Sequence, residues 1–199
     1  MTQERQQKMA QVLAHRQNNL TVVLENIEDP RNITAVMRSC ESVGIQDVYL
    51  INGNQPRTRV YNYKSGRSAA KWLTIHEFDS VIACYEQLRK HYQKILTTHL
   101  SANAVSVYDV DFTESIALVF GAETTGVTNE AQQLADGNFI IPQVGFVQSL
   151  NISVACAVSL YEAYRQKKAA GHYNQPSLPT TQINALTEFW TARDLNNHF

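Results

Sequence analysis

At 199 residues, with 44% hydrophobic and 18% charged side chains, the chain can build one domain with a real core and is too apolar to be disordered. A formal net charge of −1 excludes a generally basic nucleic-acid coat but leaves room for a local basic patch. The polar opening MTQERQQKMAQVLAHRQ has no apolar signal-peptide core, and no apolar run is long enough to span a bilayer, so a cytoplasmic protein away from membranes is expected.

Residues 3–16 set Arg5, Lys8 and Arg16 among Met9, Val12 and Leu13 at helical spacing, which predicts an amphipathic helix with a basic face. Leu20–Glu25 reads as a strand. Residues 32–43 predict a helix, with Ile33, Val36, Met37 and Cys40 on one face and Gly44 as its stop. Further strands are expected at 48–51, 95–100, 116–120 and 139–141, and helices at 80–91, 128–135 and 151–167. Strands alternating with helices imply an α/β fold, a mostly parallel sheet with helices on both faces. Residues 171–181 read as a linker, and a short helix is expected near 183–190. The chain thus divides into a basic helix (1–19), a main domain (20–168) and a linker with tail (169–199). Cys40, Cys84 and Cys156 are odd in number, far apart and in apolar surroundings, as buried free thiols in a reducing compartment would be.

Four clusters could carry chemistry. Asn32, after Asp29-Pro30-Arg31, can cap a helix that carries Arg38 between one and two turns along; such a pair reaches a phosphate or ribose, or is merely a cap and a surface arginine. Phe120-Gly121-Ala122-Glu123-Thr124-Thr125-Gly126 leaves an apolar strand with P-loop glycine spacing. Val127 stands where the P-loop lysine belongs, which excludes that NTPase class, and the dinucleotide glycine pattern is missing too. Glu123 remains a good acceptor on a strand-end loop. Thr97, Thr98 and His99 close another strand, where ligands of parallel sheets collect, although a lone histidine is more often structural. The fourth cluster holds Arg57, Arg59, Lys64, Arg67 and Lys71, interleaved with Tyr61 and Tyr63, which suits a phosphate backbone and stacked bases or is simply a solvated loop.

The stretch 139–162 is the most informative. An apolar strand stops at Pro142, a loop with Gly145 follows, and Ser149 and Asn151 open a helix rich in small residues at Ser153, Ala155, Ala157 and Ser159. The sequence has no HExxH, no paired-histidine metal spacing and no GxSxG, so no metal is expected and those hydrolase classes are disfavoured.

Together these residues resemble the SpoU/TrmH family of RNA 2′-O-ribose methyltransferases. Its first motif is matched from Asn32 through Arg38 to Gly44, its second by Phe120-Gly121-x-Glu123-x-x-Gly126, and its third by Ile141-Pro142, Gly145 and Ser149-Leu150-Asn151-x-Ser153-Val154-Ala155. The resemblance spans residues 5–168, and RQQKMAQVLAHRQNNLTVVLENIEDPRN is similar to the branch that methylates guanosine 18 in the tRNA D-loop. Arg31 stands where that branch often has a histidine, and the tail after Lys168 is short.

The resemblance implies a SPOUT-type α/β domain with a deep C-terminal trefoil knot, an exception to ordinary chain topology. It implies a homodimer that binds S-adenosylmethionine and acts on tRNA. It implies that Thr98, Gly121, Ile141 and Leu150 hold the cofactor beside an apolar wall at Leu100. Arg38 would serve the 2′-hydroxyl; because arginine is a poor base, pairing with a substrate phosphate is the preferred role. Asn32 and Asn151 would orient that pair, Glu123 would anchor Asn32 or its own loop, and Ser149 would touch RNA or loop. RNA docking is expected at Arg5, Lys8, Arg16, Arg31, Arg57, Arg59, Lys64, Arg67, Lys71, Arg165, Lys167 and Lys168. A ribosomal RNA methyltransferase, an inactive RNA-binding relative and an unrelated nucleotide enzyme are the alternatives. The complete motif set disfavours the second, and the missing phosphate-loop residues the third.

Overall fold

Seven strands form one sheet in the computed structural model, which describes residues 2–53 and 69–196. They are β1 (Leu20–Glu25), β2 (Asp47–Ile51), β3 (Thr74–Phe78), β4 (Lys94–Thr98), β5 (Val105–Ser106), β6 (Ile116–Phe120) and β7 (Gly137–Ile140), in the order β3-β2-β1-β6-β4-β7-β5. Every pairing is parallel. The central β1 and β6 are buried along their whole length, which is why LTVVLE and IALVF are almost continuously apolar. Two strands escaped the sequence pattern. β3 (TIHEF) is a half-buried edge strand with His76 and Glu77 in its middle, and β5 has only two residues.

The helices are α1 (Gln3–Ala14), α2 (Pro30–Ser42), α3 (Val81–Leu88), α4 (Asn129–Leu134), α5 (Ile152–Ala169) and α6 (Thr180–Asn196). α2 and α5 cover one face of the sheet, burying Ile33, Val36, Met37, Cys156 and Leu160 against Val22, Leu24 and Leu118. α3 and α4 cover the other, where Val81, Leu88 and Ala131 meet Val23, Ala117 and Val119. Alternate side chains of β1 and β6 therefore feed two separate cores.

β7 lies between β4 and β5, which only residues 99–104 connect. That short connection is tied to β7 itself, as Asn138 Nδ2 donates to the His99 carbonyl at 2.6 Å.

The tail is a structural element rather than a loose extension. Tyr173 donates its hydroxyl to the Val43 carbonyl at 2.7 Å, and Asn18 Nδ2 donates to the Ser177 carbonyl at 2.8 Å. α6 has 17 residues, not the short helix expected, because no Gly or Pro interrupts it after Pro179. Its Leu186 and Trp190 pack with Leu178 against Met9 and Leu13 of α1, a third small core.

That core corrects one expected RNA contact. Arg16 is fully buried, donating Nη1 to the Ile45 carbonyl at 2.7 Å and Nη2 to Glu41 Oε1 and the Trp72 carbonyl at 3.4 Å. Its guanidinium lies 5.3 Å from the Trp190 ring centroid, so α6 and the turn at Trp72 seal it from RNA. Lys167 is a second correction. It is fully buried, donating Nζ to Asn19 Oδ1 at 2.9 Å and to the Glu114 carbonyl at 3.4 Å, and burial pushes its ammonium down to about 8.

All three cysteines are free and buried. Among the described residues no helix is long and apolar enough to cross a membrane, and no group of His, Cys, Asp or Glu could hold a metal ion.

Candidate active site

In a parallel sheet all strands end at one edge. Here β1, β6, β4 and β7 are consecutive neighbours, so the loops that follow them converge. The chain also reverses its direction of growth between β1 and β6, the position where open α/β sheets bind ligands.

The loop after β1 ends at Asp29, whose side chain caps α2 by accepting from the Arg31 amide at 2.8 Å. Pro30 supplies the first helical residue. Asn32 is therefore not the cap, and its carboxamide is free to reach across the edge: Nδ2 donates to Glu123 Oε1 at 3.1 Å. The loop after β7 ends at Asn151, whose Oδ1 caps α5 by accepting from the Ser153 amide at 2.9 Å and hydroxyl at 2.6 Å. The other end of the same carboxamide, Nδ2, donates to Glu123 Oε1 at 2.5 Å and to Asn32 Oδ1 at 3.2 Å. Asn32, Glu123 and Asn151 thus close a triangle of hydrogen bonds that joins all three sequence motifs.

The glycines of the middle motif are explained by contact and conformation. A Cβ on Gly121 would stand 2.1 Å from the Gly126 carbonyl carbon, so the loop can fold back on itself only with glycine there. Gly126 has φ +68° and donates its amide to the Ala122 carbonyl at 2.8 Å.

Beside the triangle opens a cavity of about 470 Å³. Thr98, Leu100, Gly121, Ile141 and Leu150, the five residues expected to hold a cofactor, all line it, together with Glu123, Ser149 and Asn151. Phe120 and Phe139 add apolar wall, their rings edge to face at 6.2 Å. Gln143 and Gln148 also line it and were not singled out in the sequence. Gln143 Oε1 is buried with no hydrogen-bond partner among the described residues, an acceptor open to whatever fills the cavity. No motif spacing marks this glutamine. Only the fold shows that, on an otherwise exposed loop, its side-chain oxygen is buried.

Arg38 is exposed and does not line the cavity. It lies on α2 about 9 Å along the axis beyond Asn32, and it makes no hydrogen bond or ion pair among the described residues. The expected RNA contacts scatter over the surface. Arg31 is exposed and held by both carboxylate oxygens of Asp29, at 2.8 and 3.1 Å. Lys8 is exposed on α1; the Arg5 guanidinium and the Lys71 ammonium lie 5.1 and 4.7 Å from the Trp72 ring centroid. Arg165, paired with Glu162, and Lys168 are exposed near the far end of α5, about 21 and about 25 Å along it from Asn151. Arg57, Arg59, Lys64 and Arg67 lie outside the described residues.

The SpoU rRNA Methylase family matches residues 19–161. The chain belongs to this family. It is 40% identical over 194 residues to a tRNA (guanosine(18)-2′-O)-methyltransferase of Thermus thermophilus, covering 96% of this chain and 98% of that one. The crystal structure of the A. aeolicus TrmH/SpoU tRNA modifying enzyme superposes with a TM-score of 0.88 at 32% identity, over 96% of this chain and 97% of that one. AviRb from Streptomyces viridochromogenes, a SpoU methyltransferase solved with the cofactor AdoMet, matches at a TM-score of 0.67 and 27% identity, over 79% of this chain and 61% of that one. The first two likenesses run nearly end to end, including the α1–α6 cluster outside the family core.

Proposed function

We propose that this protein methylates the ribose 2′-hydroxyl of guanosine 18 in the tRNA D-loop, with S-adenosylmethionine as methyl donor. The observation that carries the reading is the Asn32–Glu123–Asn151 triangle at the mouth of a cavity lined by all five residues assigned to the cofactor. The near full-length likeness to tRNA guanosine-18 methyltransferases supports the substrate.

The cavity suits the donor. Its volume lies in the range of small-molecule sites, its walls are largely apolar, and the unpartnered Gln143 oxygen can accept from an amine. When bound, S-adenosylmethionine supplies an electrophilic methyl group. The protein's part is placement and charge. Leu100, Ile141 and Leu150 give the cavity apolar wall, while Thr98 and Gly121 offer polar groups at the strand ends. Glu123 holds two carboxamides in fixed orientation, so the edge facing the ribose is preorganised before RNA arrives. Arg38, with its planar fork of N–H donors, is suited to grip a phosphate beside the target ribose, steering its hydroxyl toward the cavity. Ser149, exposed on the cavity rim, can contact that nucleotide.

A homodimer, a knotted carboxyl-terminal part and a cytoplasmic location belong to the same proposal. Val144, Phe146 and Val147 on the loop before α5, and Val154 and Tyr161 on α5, are apolar and exposed, a surface suited to a second copy. The insertion of β7 between strands joined by six residues supports the knot. Three buried free thiols suit a reducing compartment.

The direct test incubates purified protein with labelled methyl donor and unmodified tRNA, then maps the modified nucleotide. A 2′-O-methyl group at guanosine 18 is expected. Label in ribosomal RNA alone, or at another tRNA position, would overturn the substrate assignment. Failure of calorimetry to detect S-adenosylmethionine binding would overturn the activity.

A further inference from the structure

Glu25 is the last residue of β1 and is fully buried, yet it has no cationic partner among the described residues. A buried carboxylate is costly unless hydrogen bonds replace its water. Here one residue provides them. Thr128 donates its amide to Glu25 Oε2 at 3.0 Å and its hydroxyl to Oε1 at 2.5 Å. The same hydroxyl accepts from the Ala131 amide at 3.2 Å, capping α4, and Gln132 Nε2 donates to the Val127 carbonyl at 2.8 Å. Glu25 therefore fixes the point where the loop after β6 re-enters helix.

Alternation along β1 decides which side this happens on. Leu24 joins the core under α2 and α5, and Val23 the core under α3 and α4; Glu25 follows Val23 to the second side. The loop that carries Glu123 is thus gripped from both faces of the sheet. On one face Glu123 meets Asn32 and Asn151, and on the other Thr128 meets Glu25. Only residues 124–127 separate the two anchors.

We propose that Glu25 is a positioning residue for methyl transfer: by holding Thr128 it sets where Glu123 stands and so keeps the triangle closed. This rests on the function proposed above. Glu25 reaches neither the cavity nor the triangle directly and acts only through the loop.

The test is a double-mutant cycle on the single-turnover rate of tRNA methylation at saturating donor and RNA, with amide hydrogen exchange of residues 121–127 measured alongside. Glu25→Gln and Thr128→Val are each expected to slow the step about tenfold, as loss of a hydrogen bond to a charged group would, and to speed exchange in the loop. Thr128→Ser, which keeps the hydroxyl, should restore most of the rate. In a Glu123→Ala background neither change should slow the reaction further, because coupled residues are not additive. Full additivity with Glu123→Ala, or unchanged exchange in the loop of either variant, would overturn the proposal. If Glu25→Gln does not fold, Thr128→Val carries the cycle alone. Wild-type protein that methylates no tRNA would defeat the proposed function instead, and the exchange result would still decide whether Glu25 orders the loop.

Discussion

Asn32 and Asn151, 119 residues apart in the chain, donate to the same oxygen of Glu123. One carboxylate thus ties the start of α2 to the start of α5. Glu123→Ala would leave both carboxamides without their common acceptor while removing an exposed side chain from the cavity rim. The expected result is a loss of methyl transfer of about 100-fold, on the scale of lost preorganisation, with little change in Tm. Steady-state kinetics with a parallel melting curve checks both halves.

Arg38 stands clear of the triangle and of the cavity, so its removal should leave the protein folded and able to bind the methyl donor. Arg38→Ala is expected to abolish most tRNA methylation while calorimetry shows donor affinity near wild type. Arg38→Lys should recover little, because an ammonium cannot reproduce a two-pronged phosphate contact. Near wild-type turnover by Arg38→Ala would remove this arginine from the reaction.

Gln143 offers the cavity an unpartnered acceptor. Gln143→Leu keeps the volume and deletes the oxygen. Donor affinity is expected to fall about 5- to 20-fold, the weight of one hydrogen bond to a charged or polar group. Isothermal titration with the donor measures it directly, without RNA.

Lys167 predicts a pH signature of stability. Its pKa falls from 10.5 in the free side chain to about 8 in the folded protein, chiefly through burial. Between these values the unfolded chain binds more protons than the folded one, so this group makes stability rise with pH from about 8 to 10.5 and adds no slope below about 8. Lys167→Met should remove that alkaline rise. Urea denaturation at a series of pH values spanning that window, on both proteins, tests the difference in slope.

The two tryptophans of the chain, Trp72 and Trp190, pack edge to face at 5.2 Å, and Arg5 lies against the first. Intrinsic tryptophan fluorescence therefore reports on one surface only, that of α1 and α6. If tRNA docks along Arg5 and Lys8, titration should change the emission and added salt should reverse it, as phosphate contacts require. Unchanged emission during demonstrable tRNA binding would move the docking surface elsewhere.

The contrast between motif and burial runs through the molecule. The placement of Asn32, Glu123, Ser149 and Asn151 at strand–loop–helix junctions was legible, because local spacing and turn residues carry that signal, but spacing also marked Asn32 as the cap of α2, which is Asp29. The parallel sheet was legible for the same reason, through the wholly apolar runs at Leu20–Glu25 and Ile116–Phe120. β3 was not, since a half-buried edge strand needs no apolar run. Arg16 and Lys167 read as surface cations because side-chain type and helical spacing cannot reveal what packs over them. Arg16 is covered from Trp72 and Trp190, and Lys167 from Asn19 and Glu114, all remote in sequence. Glu25 shows the same limit from the other direction. An acid closing an apolar strand looks like a strand end meeting water, and only the return of the chain 103 residues later makes it a buried anchor. Sequence alone determined which residues could do chemistry, because that depends on side-chain type and local backbone. Tertiary structure decided which of them meet and which are sealed away, because burial is a property of contacts that distant segments make.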